Sequence, residues 1–137
     1  GVSINFFSKF KKNLLENWQK TLKKFFILQM QNNEEGKKII KKLENYFIDE
    51  HPPTKEGLEK SLKILEDIDM RNDIKNIKIP TLIISGRQDQ ITNHKASIWM
   101  KSKIKKSKIF IFDMTGHIPF IQNQKKCFEL IKKFVGP

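Results

Sequence analysis

Two ionisable residues, Asp89 and His117, each follow an apolar run of strand length in this 137-residue sequence. Asp89 lies in G-R-Q-D after the run Thr81 to Ser85, and His117 lies in G-H-I-P-F after Ile109 to Phe112. A carboxylate and an imidazole are both residue types that can exchange protons, and each stands in a loop after its run. Asp113, at the end of the second run and nearer His117 in sequence, competes for the acid's place. His51, beside two prolines, and His94, at a helix start, read as surface residues. Cys127 falls on an apolar helical stripe and reads as core. No spacing of His, Cys and acids suits a metal ion, and no cofactor is expected.

The elements that must position this pair follow from periodicity. Runs apolar on both faces suit a buried parallel sheet, whose ligands gather at the carboxyl ends of the strands. Pro80 is tolerated at the start of the first strand. Thr92 or Asn93 can cap a helix from about His94 to Ile104, and Cys127, Leu130, Ile131 and Phe134 mark a terminal helix. Strand, helix, strand, helix is the pattern of a parallel α/β fold. Two strands alone make a poor open sheet, so their apolar faces call for further neighbours.

Upstream the pattern is helical. Phe7, Phe10, Leu14, Trp18, Leu22, Phe25 and Leu28 recur at three and four residues, giving one long amphipathic helix or two joined ones. Asn33 before Glu34 and Glu35 marks a second start, with Ile39, Ile40, Leu43, Tyr46 and Phe47 as its stripe. Thr54 can cap a third helix with the stripe Leu58, Leu62, Leu65 and Ile68. Two domains follow: a helical block, 1–70, and a strand-bearing part, 71–137.

The net charge of +12 alternates along the chain. Residues 1–42 hold ten Lys against three Glu, residues 43–70 three Lys against eight acids, and residues 71–137 fourteen basic groups against four acidic ones. Without a zinc-finger, RNP or helix-turn-helix signature, this reads as solvated helix faces, and a nucleic-acid partner stays a minor alternative. No apolar run reaches the roughly 18 residues of a membrane span, and the N-terminus shows no signal-peptide pattern. A single cysteine excludes an intrachain disulfide and suits a reducing cytoplasm.

A strand ending in G-x-x-D, a helix, a second strand and a G-H-x-P-F loop resemble the closing segment of an α/β-hydrolase, in which the chain order is nucleophile, acid, base. By that resemblance Asp89, not Asp113, is the acid and His117 the base. The serine expected earlier, in a G-x-S-x-G elbow, is missing: none of Ser3, Ser8, Ser61, Ser85, Ser97, Ser102 and Ser107 has glycines two residues to either side. The sequence therefore reads as the C-terminal part of an α/β-hydrolase, residues 1–70 being its helical lid, with the nucleophile expected on a segment outside these residues. The isolated chain is then expected to be inactive.

More narrowly, Trp18 to Gln29 and G-L-E-K-S-L-K-I-L-E-D-I-D-M-R-N-D-I at 57–74 are similar to the pimeloyl-[acyl-carrier protein] methyl ester esterases of biotin synthesis. The resemblance implies a serine carboxylesterase whose acyl chain touches Phe25, Phe26, Ile27, Leu28 and Gln29. It also implies that Lys20, Lys24, Lys37 and Lys41, where the family has arginines, grip an acidic acyl carrier protein. The complete enzyme is expected to be a cytoplasmic monomer. The sequence departs from the family after the acid, where Gln90-Ile91-Thr92-Asn93 stands in place of a small or apolar residue and a proline. Two alternatives stay open: another small-acyl hydrolase, or a noncatalytic basic helical module that docks an acidic protein or nucleic acid.

Overall fold

The structure, a computed structural model, describes residues 3–29 and 34–136, without the side chains of Glu34, Glu35 and Lys37. The expected cap at Asn33 lies outside the described residues. The chain forms two compact units, one holding Met70 onward together with Gln29, the other residues up to Leu28 and the stretch ending at Asp69.

In the helical unit, the first stripe forms two helices, α1 (Ile4–Glu16) and α2 (Trp18–Gln29). Asn17 makes the joint. Its backbone leaves helical geometry at φ −150° and ψ 83°, while its side-chain oxygen accepts from the Lys20 N–H at 3.1 Å. One residue thus ends one helix and caps the next. Helix α3 (Glu34–Glu44) runs into a π-helical turn, Asn45–Glu50, and α4 (Lys55–Asp67) starts at Thr54, whose hydroxyl accepts from the Gly57 N–H at 3.0 Å.

Helix α1 packs on α4, and Leu14 and Leu62 are the residues that these two helices bury. Lys11 Nζ and Glu66 Oε2, 2.6 Å apart, tie them at the surface. The ring of Phe10 meets that of Phe25 with centroids 5.2 Å apart, and Phe26 meets Phe47 at 6.2 Å. The stripe of α4 is only partly used. Leu62 is 2% exposed, whereas Leu65 and Ile68, expected inside from their spacing, remain exposed; α4 ends at Asp67, and Ile68 already stands in extended backbone.

In the other unit, β1 (Thr81–Gly86) and β2 (Ser107–Phe112) pair in parallel. Strand β1 starts directly after Pro80, which has no N–H to give a ladder. Helix α5 (His94–Lys103) makes the crossover and packs on both strands. A short helix α6 (Pro119–Gln122), not evident from the sequence, precedes α7 (Gln124–Val135). Ile83, Ile104, Phe112, Ile118 and Cys127 form the buried core of this unit. These observations agree with the expected α/β class and its crossover through a helix.

Candidate active site

The register of the two strands brings the pair together. Gly86 lies opposite Phe112, so β1 and β2 end side by side. Three residues beyond Gly86 comes Asp89, and five beyond Phe112 comes His117. The intervening loops are zipped by the Arg87 N–H to the Phe112 carbonyl at 2.8 Å and the Gln88 N–H to the Thr115 carbonyl at 3.0 Å. So close an approach requires glycine at 86: a Cβ there would overlap the carbonyl oxygens of Thr115 and Gly116.

The loop before His117 is fixed by its own polar groups. Thr115 is 2% exposed, and its hydroxyl accepts from Asn123 Nδ2 at 2.7 Å. The Gly116 N–H donates to Gln122 Oε1 at 2.9 Å. The His117 N–H donates to the Gln29 carbonyl, also at 2.9 Å, and a Cβ on Gly116 would collide with that same oxygen. Buried backbone donors therefore have partners, and the histidine's main chain is held before its side chain does anything.

His117 Nδ1 lies 2.8 Å from Asp89 Oδ2. The Asp89 side chain is 4% exposed and that of His117 31%, so the acid is enclosed while the imidazole reaches the surface. Asp89 Oδ1 accepts from the Ile91 N–H at 2.7 Å and the Thr92 N–H at 2.8 Å; Oδ2 also accepts from the Thr92 hydroxyl at 2.6 Å. Burial pushes the Asp89 carboxyl up, but the hydrogen bonds from Thr92, His117 and the Thr92 and Ile91 amides outweigh it and hold the group below its ordinary range. The acid is thus an ionised acceptor saturated by four donors. With Nδ1 engaged, Nε2 is the nitrogen left to exchange a proton with a nucleophile.

Asp113 takes a different partner. Its Oδ1 pairs with Arg87 Nε at 2.6 Å, an ion pair across the two loops with both side chains more than half exposed. Of the two candidate acids, the fold brings Asp89 to the imidazole. Sequence reading missed Thr92 as a member of this cluster; of the two caps it offered for α5, Thr92 and Asn93, the cap is Asn93, whose Oδ1 accepts from the Lys95 N–H at 2.9 Å. A hydroxyl residue three positions after the acid was the available signal.

The segment Phe25 to Gln29 divides among several environments. Phe25 and Leu28 line a groove of ≈ 500 Å³ along α1 and α2, with Phe6, Phe10, Lys20 and Lys24 among its other walls. Phe26 is buried, Ile27 is half exposed, and Gln29 gives its backbone carbonyl to His117. Lys20, Lys24 and Lys41 are exposed on their helices; the Lys37 side chain lies outside the described residues. Cys127 is 2% exposed and burial pushes its thiol up, as suits a core residue. Among the described residues no cluster of His, Cys, Asp and Glu could hold a metal ion, and no helix is long and apolar enough to cross a membrane.

Parallel strands joined through a helix, with an acid after one strand and a histidine after the next, define part of a hydrolase core. The chain belongs to the α/β-hydrolase fold family, whose model matches residues 3–124. Among curated proteins it is similar to pimeloyl-[acyl-carrier protein] methyl ester esterases: 29% identical over 134 residues to that of Nitrosomonas europaea, covering 96% of this chain and 53% of the relative. The enzyme of Wigglesworthia glossinidia brevipalpis is 34% identical over 137 residues, covering 98% and 53%. The chain spans about half the length of these relatives. Among solved structures, an esterase from Exiguobacterium antarcticum matches with a TM-score of 0.87 at 21% identity, covering 98% of this chain and 49% of that one. A bromoperoxidase from Bacillus anthracis matches at 0.85 and 18%, covering 98% and 50%. At such identities the two structures speak for the fold alone.

Proposed function

We propose that this chain supplies the acid, the base and the lid helices of a serine carboxylesterase that removes the methyl ester from a carrier-bound pimeloyl chain. The observation that carries the reading is the 2.8 Å contact between His117 Nδ1 and an Asp89 carboxylate satisfied by four donors. The names of the curated relatives support the substrate. On this reading His117 Nε2 takes the proton of a serine hydroxyl as its oxygen attacks the ester carbonyl. The imidazolium then gives that proton to departing methanol, and the histidine next activates water to release the carboxylate. Asp89 stabilises the imidazolium at each stage. The serine and the donors to the oxyanion belong to a segment carrying G-x-S-x-G, which this sequence does not contain. Phe25 to Gln29 contact the acyl chain, and Lys20, Lys24, Lys37 and Lys41 meet the acidic carrier. The enzyme works as a cytoplasmic monomer without a cofactor.

The test is a chimera joining the nucleophile-bearing half of the Nitrosomonas europaea relative to this chain. A folded chimera should hydrolyse a carrier-bound pimeloyl methyl ester, and His117→Ala should abolish it. A folded chimera that is inactive, or equally active without His117, would remove the catalytic assignment. One that cleaves only small free esters would remove the carrier-bound substrate.

A further inference from the structure

We infer that Thr92 is a positioning residue for His117: its hydroxyl keeps the imidazole proton on Nδ1 and so leaves Nε2 free as the base, an inference that rests on the catalytic reading of the pair. Thr92 Oγ1 lies 2.6 Å from Asp89 Oδ2 and 3.2 Å from His117 Nδ1. A hydroxyl has one proton and two acceptor lone pairs. The ionised carboxylate only accepts, so at 2.6 Å the Thr92 proton points to Oδ2, and what the hydroxyl offers the ring is a lone pair. Nδ1 is then flanked by two acceptors, Asp89 Oδ2 and Thr92 Oγ1. An unprotonated Nδ1 would face both without a donor; a protonated one is satisfied by both. Asp89 Oδ1 does not disturb this division, because the Ile91 and Thr92 amides occupy it.

The local fold frees Thr92 for the task. With Asn93 accepting from the Lys95 N–H as the cap of α5, the preceding hydroxyl is not drawn into the helix start. The Thr92 N–H is itself bonded to Asp89, so backbone and side chain of one residue grip the two oxygens of the carboxylate. Branching at Cβ restricts the hydroxyl to few rotamers, which keeps it beside the ring.

The prediction is read on the 137-residue chain with ¹⁵N-labelled histidine, so that it does not depend on ester turnover. Long-range proton–nitrogen spectra recorded as a pH series distinguish the imidazolium and each of the two neutral tautomers. The His117 signals are those missing from His117→Ala. The unsubstituted chain should show mainly the Nδ1–H form. In Thr92→Val the ratio of Nδ1–H to Nε2–H should fall about fivefold, the worth of one hydrogen bond. Thr92→Ser should restore it, and Asp89→Asn should lower it further. Thr92→Ala removes the hydroxyl without placing a second methyl beside the carboxylate, and carries the test if valine disturbs the loop. An unchanged ratio in either folded hydroxyl-less variant would overturn the inference, as would a serine variant that fails to restore it. A tautomer shift seen as expected beside an inactive chimera would sink the proposed function and leave the role of Thr92 standing.

Discussion

Asp89 and Lys20 are both charged residues given a functional part, and their surroundings differ as much as their parts do. The Asp89 side chain is 4% exposed, accepts four hydrogen bonds and meets His117 through a loop geometry that tolerates no Cβ at position 86. Lys20 stands exposed on α2 beside an open groove. A buried charge is costly unless each lone pair is satisfied, so the fold must build a housing for it, and removing one wall is felt at once. An exposed ammonium is solvated by water and screened by salt, so its contribution is small singly and grows with number. Chemistry belongs in the first setting and long-range recognition in the second.

The sharpest way to break this comparison is to remove the buried charge. In the chimera, Asp89→Asn should lower kcat about 10⁴-fold, the magnitude found when a catalytic triad loses its acid. Asp113→Asn, which breaks only the half-exposed pair with Arg87, should leave kcat within about fivefold. A reversal of these two results would move the acid to Asp113.

The contrast also explains what could be read from the sequence alone. Strands, crossover and both loop residues were legible because Thr81 to Ser85 and Ile109 to Phe112 are apolar on both faces and end in sharply polar loops. The cap at Thr54 was legible for the same local reason. The break at Asn17 was not fixed, since the apolar period runs on through Trp18 and only the main chain of Asn17 decides between one helix and two. Nor was the exposure of Leu65 and Ile68, because a stripe shows which face can be buried and not how far its cover extends. Thr92 escaped because its partner lies 25 residues away, across a contact that exists only once β1 and β2 are in register.

Stability should follow the same division. Gly86→Ala forces the Thr115 and Gly116 carbonyls aside, and overpacking of this kind typically costs about 1–3 kcal/mol. Leu62→Ala, at the most buried position of α4, should cost about 2–5 kcal/mol. Thermal melts of the two variants measure each loss, and Gly86→Ala should also alter the His117 spectrum. If Gly86→Ala left His117 unmoved, close approach of the loops would not be what positions the pair.

The acid limb of stability tests the housing itself. The Asp89 carboxyl is held below its ordinary range in the folded chain, so its contribution is complete above the ordinary carboxylate value and is lost as pH falls through the folded one. The difference in melting temperature between the unsubstituted chain and Asp89→Asn should therefore be widest near neutrality and narrow below about pH 4. A gap that stayed constant down to strong acid would mean that the carboxylate's charge contributes nothing to the fold.

The smallest effects per residue belong to the lysines, and there the comparison is sharpened by number. Lys20 and Lys24 are four apart on α2, so they occupy one face about a turn apart, and Lys41 stands exposed on α3; Lys37 completes the proposed set. Exposed charges contribute under about 1 kcal/mol each, so a single Lys→Glu change in the chimera should alter turnover of a carrier-bound ester by less than about fivefold. Replacing all four should depress it far more, through kcat/KM and the rate of encounter, while hydrolysis of a small free ester holds. Raising salt should weaken the carrier-bound rate of the unsubstituted chimera and change that of the quadruple variant little, since the Debye length of about 8 Å at physiological ionic strength shortens further. Equal losses on both esters would mean that the substitutions act on the fold of the helical unit. No loss on either would mean that these lysines are solvated surface, and the carrier would have to be recognised by another face.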